Sequence, residues 1–262
     1  MSDQPSEAGA LTSAMAQLPR REPLLAVRGL TAGYNDVEVV HGIDLDVCAG
    51  EVVALLGPNG AGKTTTLSTI AGLLPRIGGD CTILGEVQPL NGKRKVVATA
   101  LGLRARGLAY VPEDRALFFG LTARQHLKLA AARRDTDAIE AAVAPFPALR
   151  AILDRKAGLM SGGEQQMLAV ARALAARPKV IMIDELSLGL APIVVEQLLP
   201  LMRNICQDQG VGVLLVEQHV NAALSTADRA YVMVRGAISI TASAAELLAD
   251  STALSNAYLG EA

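Results

Sequence analysis

The stretch GPNGAGKTT, residues 57–65, constrains this chain more than any other part of it. It matches GxxxxGK[ST], and it lies between the apolar run EVVALLG (51–57) and helical spacing at Leu67, Ile70, Ala71 and Leu74. In that context glycines let backbone N–H groups turn inward around a phosphate, and the start of the following helix adds its dipole. The cradle would comprise Gly57, Pro58, Asn59, Gly60, Ala61 and Gly62. Lys63 would reach the β- and γ-phosphates of a nucleotide, Thr64 would hold Mg²⁺ through its hydroxyl, and Thr65 would contact the α-phosphate. A glycine-rich turn with an incidental lysine is the plain alternative, and the strand and helix on either side argue against it.

The other half of such a site is a carboxylate at the end of a neighbouring strand, and VIMIDE (180–185) supplies two. Asp184 would hold the metal through water, and Glu185, projecting differently, would polarise the attacking water. EVVALLG, VIMID and VGVLLVE (211–217) are nearly all apolar, as strands covered on both faces must be, and are expected in one parallel sheet. Val195, Leu198, Leu199 and Met202 continue the strand–helix alternation of an α/β protein. PLLAVRGLTAGY and GIDLDVCAGEVVALLG predict several antiparallel strands ahead of the central one. Residues 117–160 read as short helical pieces interrupted by Pro145 and Pro147, an inserted lobe.

Composition narrows the classes. The 262 residues suffice for a large core, half the chain (51%) is apolar and only 3% aromatic, so that core is built from Ala, Leu, Val and Ile. No apolar run approaches the roughly 20 residues needed to cross a bilayer. A net charge of −2 gives no basic footprint for nucleic acid; KRK (93–95) and Arg133–Arg134 read as solvated surface. Cys48, Cys81 and Cys206 are too few and too scattered for a disulfide framework, which fits a reducing cytoplasm. Residues 1–22 lack the apolar stretch of a secretory signal and are expected to form a flexible tail.

LMSGGEQQM (159–167) holds an S-x-x-E capping box, Ser161 and Glu164, with an apolar face behind it. A cap alone leaves Gly162 and Gly163 unexplained, because each glycine costs a helix about 1 kcal/mol relative to alanine. Bare glycines at a helix start suit close approach by an anion.

Phosphate loop, MSGGEQQ and VIMIDE in this order resemble the nucleotide-binding subunit of ATP-binding-cassette (ABC) proteins. The resemblance covers about residues 24–240. It implies a P-loop NTPase α/β core with a mainly parallel sheet, an N-terminal antiparallel β subdomain and the helical subdomain inserted at about 117–160. The whole would form a domain over 23–240, followed by a helical extension over 241–262. The resemblance also implies a head-to-tail dimer in which Ser161, Gly162 and Gly163 of one subunit close over the γ-phosphate held by the other. Tyr34, in TAGY, matches the aromatic that stacks on adenine; the alternative is a strand-surface tyrosine. Ser187 to Ala191 would line the dimer seam.

Three positions depart from the family pattern. Glu113, in AYVPEDR, stands where the family has a glutamine that binds Mg²⁺; a carboxylate remains a hard oxygen ligand but adds charge. Leu186 stands where proline is usual. At the switch position after the last core strand the spacing places Gln218, whereas a shift of one residue would place His219. Gln218 donates through its amide but cannot take up a proton as imidazole can. His41 and His126 read as surface residues.

AYVPEDR, SLGLAP and LLVEQ resemble the ATP-binding subunits of high-affinity branched-chain amino-acid importers and of related systems for small amides. Such a subunit works on the inner face of the cell membrane with transmembrane permease subunits and, through them, a separate solute-binding protein. Its dimer partner would be a second copy of the chain or a sister ATPase. Phe118 and Phe119 would either meet the permease or form the core of the lobe. The competing reading is a soluble ABC ATPase outside transport, such as one serving iron–sulfur cluster assembly.

Overall fold

The computed structural model describes residues 22–35, 37–89, 96–132 and 135–250. The chain opens with a long antiparallel hairpin, β1 (Pro23–Tyr34) and β2 (Val37–Cys48), and then runs into β3 (Val52–Leu56) and α1 (Lys63–Ile70). β4 (Arg76–Ile83) and β5 (Glu86–Val87) return to the hairpin, giving a four-stranded antiparallel sheet in the order β2-β1-β4-β5. After α2 (Val96–Arg106) and β6 (Leu108–Val111) comes the helical lobe: α3 (Ala123–Ala130), α4 (Thr136–Val143), α5 (Pro147–Arg150) and a 3₁₀ turn at Ala157–Leu159. Pro147 sits at the first position of α5, where its missing N–H has no partner to lose.

The chain re-enters the core through α6 (Gly162–Leu174), β7 (Val180–Asp184), α7 (Pro192–Gln209), β8 (Gly212–Val216), α8 (Val220–Thr226), β9 (Arg229–Val234), β10 (Ala237–Ser243) and α9 (Ala244–Ala249). The second sheet runs β10-β9-β3-β8-β7-β6, parallel except at the β10 edge. Every residue of β3, β7 and β8 is buried, as expected of strands covered on both faces. The period of two divides them cleanly. Val53, Leu55, Val180, Met182, Leu214 and Val216 pack toward the antiparallel sheet, whereas Ile181, Ile183, Val213 and Leu215 pack with α6, α7 and the lobe.

Two expectations need correction. The helical extension does not begin at 241: β10 continues through Ser243, and the helix that follows starts at Ala244. β9 and β10 are joined by Arg235 and Gly236, at φ 46 and 83, the two left-handed residues of a type I′ hairpin whose twist carries the pairing past residue 240. His126 is not on the surface but 1% exposed, because its ring closes the lobe's first turn: Nε2 accepts from the Phe118 N–H at 2.9 Å and Nδ1 lies 3.1 Å from the Thr122 carbonyl. His41 is exposed. The tail, KRK (93–95), Arg133–Arg134 and the last twelve positions of the chain lie outside the described residues.

A polar cluster joins the two sheets. Arg229, at the start of β9, donates to Glu51 Oε1 at 2.7 Å, to Asp46 Oδ1 on β2 at 2.8 Å and to the Tyr231 hydroxyl, which itself donates to Asp46. Burial pushes the Asp46 carboxyl up, but Arg229, Tyr231 and Arg28 outweigh it and hold it below the ordinary range. A carboxylate with a depressed folded pKa stabilises the fold above its unfolded pKa, near 3.9, and that contribution disappears as pH falls through the folded value. Arg229→Met leaves Glu51 without its cation and Asp46 with Arg28 alone, and is expected to cost about 3 kcal/mol at pH 7. The deficit should shrink below about pH 4 as Asp46 protonates. Urea denaturation of both proteins at pH 7 and pH 3.5 checks this; an equal deficit at both would remove the ion pairing as its cause.

Candidate nucleotide site

The parallel register brings three strand ends to one edge of the second sheet. Leu55 of β3 pairs with Val216 of β8, and Val216 pairs in turn with Asp184 of β7. The phosphate loop, the Asp184–Glu185 pair and Gln218 therefore leave the sheet side by side.

The loop is shaped by what lies behind it. Gly57 has φ 151, and a Cβ there would fall 2.1 Å from the Met233 carbonyl oxygen; Gly62, at φ 105, is closed in by Met233 Cε, Val39 O and Val40 Cγ2. β9 and the start of β2 thus form the back wall of the cradle. Gly236 N–H donates to Ala61 O at 2.9 Å, and His41 N–H donates to Gly236 O at 2.8 Å, so the β9–β10 turn braces the loop as well. Pro58, Asn59 and Gly60 form its outer rim, and Gly60 has open space beside it. Lys63, 5% exposed, donates to Gly57 O at 2.8 Å and Pro58 O at 3.0 Å. Burial lowers its pKa, and Glu185 and Asp184 act against that shift. Thr65 is buried and Thr64 exposed on the first turn of α1.

Asp184 is fully buried. Its Oδ2 accepts from the Tyr110 hydroxyl at 3.2 Å and its Oδ1 has no hydrogen-bond partner; Thr64, on the first turn of α1, lies beside the carboxylate. Burial raises its pKa; Thr64 and Tyr110 oppose the shift, and the charges of Glu185 and Glu113 reinforce it. An orphaned buried carboxylate oxygen beside a hydroxyl is a donor set that suits a hard divalent cation. Glu113 is exposed on the loop after β6 and faces Asp184 electrostatically.

Glu185 has φ 50, a left-handed conformation that costs a residue with a Cβ about 1–2 kcal/mol. Its N–H donates to Val216 O at 3.0 Å, and its Oε1 accepts from Gln218 Nε2 at 2.7 Å. Of the two residues weighed for the switch position, Gln218 therefore makes the contact to Glu185, whereas His219 is the exposed N-cap residue of α8. Two residues after Glu185 and one before Gln218, a second pair bridges the same two segments: Glu217, fully buried, accepts from the N–H and hydroxyl of Ser187. Burial pushes the Glu217 carboxyl up, and the two Ser187 bonds act against it.

The start of α6 carries its capping box: Glu164 N–H donates to Ser161 Oγ at 3.3 Å, and Ser161 N–H donates to Glu164 Oε2 at 2.7 Å. A Cβ on Gly162 would meet Leu190 and Gly189 at ordinary distances of 3.5 and 3.6 Å, but one on Gly163 would press on Val194 Cγ1 at 3.0 Å. Gly163 thus has a packing reason inside the chain and Gly162 has none. Their nearest neighbours come from 189–194 and Arg115, not from the phosphate loop. Tyr34, half exposed, ends β1 at the hairpin whose other strand supplies Val39 and Val40 to the loop's back wall. Tyr110 and Met233 escape a sequence reading, because each acts through strand pairing across 70 residues or more.

A phosphate loop set against a second, acidic strand end defines an α/β nucleotide-binding protein of the P-loop class. The ABC transporter family matches residues 40–187. Over 241 residues the chain is 36% identical to the high-affinity branched-chain amino acid transport ATP-binding protein BraG of Pseudomonas aeruginosa, covering 90% of this chain and 100% of that one. It is 32% identical over 248 residues to the lipopolysaccharide export system ATP-binding protein LptB of Escherichia coli (strain K12), covering 90% and 97%. A solved structure of an ATP-binding subunit of an ABC transporter superposes with a TM-score of 0.73 at 29% identity, covering 91% of this chain and 97% of that one. The chain belongs to the ABC transporter family and is an ATP-binding subunit that hydrolyses ATP.

The glycines of the cradle separate into two kinds, which mutation should distinguish. Gly57→Ala must displace the Met233 carbonyl and is expected to abolish measurable ATP binding. Gly60→Ala meets nothing within 4 Å and bears only a left-handed backbone, so a loss of about fivefold follows from about 1 kcal/mol of strain. Equilibrium titration with a fluorescent ATP analogue checks both.

Proposed function

We propose that this chain is the ATPase motor of an importer for branched-chain amino acids or related small amides, coupling closure of an ATP-bound dimer to transport by separate permease subunits. The observation that carries the ATP chemistry is the shared sheet edge, which brings together Lys63, the unpartnered oxygen of Asp184 and the Gln218-held Glu185. The similarity to BraG supports import of branched-chain amino acids.

In this reading the N–H groups of residues 57–65 and the Lys63 ammonium bind the phosphates, and Tyr34 stacks on adenine. Thr64, Asp184 and Glu113 hold Mg²⁺, which neutralises phosphate charge when bound. Glu185 accepts the proton of the attacking water, and Gln218 keeps that carboxylate oriented by the bond it already makes. Little covalent work falls to the protein, so positioning and charge placement supply the rate.

Ser161, Gly162 and the N–H of Gly163 act on the nucleotide of a second subunit. Gly162 has room for a side chain in this chain, so its bareness is best explained by something outside it. Leu159, Leu188 and Ile193, 73%, 41% and 61% exposed, surround the same helix start and offer an apolar rim for a second copy or a sister ATPase to cover. Phe118 and Phe119 are 65% and 63% exposed and so do not form the lobe's core. Phe118 borders a groove of about 360 Å³ between Leu73, Leu103, Tyr110 and Leu129, suited to an amphipathic helix of a permease. The division into a 23–240 ATPase domain with its inserted lobe fits this arrangement, with the end moved to Ser243. Because no helix among the described residues is long and apolar enough to cross a membrane, attachment to the inner face would run through the permease, and contact with a solute-binding protein would be indirect.

Glu185→Gln should retain ATP binding, lower turnover by a factor of about 10² or more and accumulate dimers in ATP; unchanged hydrolysis would take the base role from Glu185. Adding Ser161→Arg should abolish that dimer while sparing nucleotide binding by the monomer, at a cost of about 1 kcal/mol for the lost cap. The similarity to LptB favours a second direction, export. Vesicles containing the reconstituted complex decide it: ATP-dependent accumulation of leucine from the binding-protein side supports import, and its absence with intact ATPase activity supports the other direction.

A further inference from the structure

Arg115 is the point at which three separate segments of the nucleotide site meet. Its Nε donates to Gln166 Oε1 at 2.7 Å and its Nη1 reaches Gln165 Oε1 at 3.4 Å, both on the first turns of α6. Its Nη2 donates to the Leu188 carbonyl at 3.1 Å, in the loop that follows Glu185. The same nitrogen lies 4.0 Å from where a Cβ would stand on either Gly162 or Gly189, so the guanidinium lies between the bare helix start and the left-handed turn of that loop.

The backbone carrying this side chain is equally constrained. Arg115 and the following Ala116 are both left-handed, at φ 63 and 45, an unusual conformation for consecutive residues with Cβ atoms. Arg172, further along α6, holds that strained turn by donating to the carbonyl oxygens of Arg115 and Ala116. Two residues earlier, the same turn carries Glu113. The Arg115 fork therefore binds α6 to the 186–190 loop, while Arg172 binds α6 to the turn after β6. Ser187, from the same loop, is fixed on its other side by buried Glu217.

We propose that Arg115 is a positioning residue that makes the Glu113 turn, the start of α6 and the 186–190 loop one mechanical unit. A displacement of the Glu113 turn would then reach the Ser161–Gly162 surface and the seam loop of the same subunit together. A guanidinium suits this task because its planar fork spans two acceptors on different segments, which the single ammonium of lysine does not. The consequence for dimerisation rests on the ATP-dimer reading above, but the clasp is a property of one chain.

Two measurements on the full-length chain separate these. In hydrogen–deuterium exchange of the ATP-free monomer, Arg115→Lys and Gln166→Leu should each speed exchange in peptides covering both 162–166 and 187–190 at least fivefold, with exchange in β3 and β8 unchanged. Faster exchange in only one of the two segments, or in neither, overturns the clasp. In the Glu185→Gln background, Arg115→Lys should raise the ATP concentration for half-maximal dimerisation about tenfold while leaving the monomer's affinity for ATP unchanged. A matching loss of monomer affinity, or no shift at all, overturns the positioning role. If Glu185→Gln itself forms no dimer in ATP, the dimer reading fails, and the exchange result still judges the clasp.

Discussion

The parallel register of β3, β8 and β7 is the constraint on which the rest of this protein depends. Hydrogen bonding fixes Leu55 opposite Val216 and Val216 opposite Asp184, so three chain segments far apart in sequence end at the same height. In an open α/β sheet the residues just beyond such strand ends face a common crevice. Lys63, Glu185 and Gln218 are neighbours for that reason, not because of any local preference. The register itself is held by burial: each of these strands is covered on both faces, and a slip of one residue would exchange its two packing surfaces.

The buried edge also explains why its polar groups come in pairs. Far from water, a carboxylate without partners is costly. Glu217 meets two donors from Ser187, and Glu185 meets Gln218. Asp184 is the exception: one oxygen is served by Tyr110 and the other has no partner among the described residues. The site therefore departs from ordinary packing rules at the atom proposed to meet a cation. Three of the seven left-handed residues with a Cβ among those described also fall here: Glu185, held by the Val216 carbonyl, and Arg115 and Ala116, both held by Arg172.

Much of this was legible in the residues. The phosphate loop announced its strand and helix, the all-apolar runs announced a two-sided sheet, and S-x-x-E announced the capped start of α6. What escaped did so for different physical reasons. Tyr110, Met233 and Arg115 act through partners 50 or more positions away, and His126 looked like a surface residue because nothing local shows that its two ring nitrogens are both engaged by backbone. β10 runs past residue 240 because an Arg–Gly turn, not the alternation of the strand, sets its pairing with β9.

Sequence alone determined the elements and the chemistry they carry: a glycine loop able to wrap phosphate, acidic residues closing a buried strand, and a helix start left bare. Those are local properties, written in spacing and side-chain type. Tertiary structure decided which residue does what among near equals. It put Gln218 on Glu185 while His219 merely precedes α8, and it set Gly163 against Val194 while leaving Gly162 free. It also joined three distant segments through Arg115. Each of those outcomes depends on distances between strands and helices that no local pattern encodes, because register and packing are settled only when the two sheets and the helices bury their surfaces together.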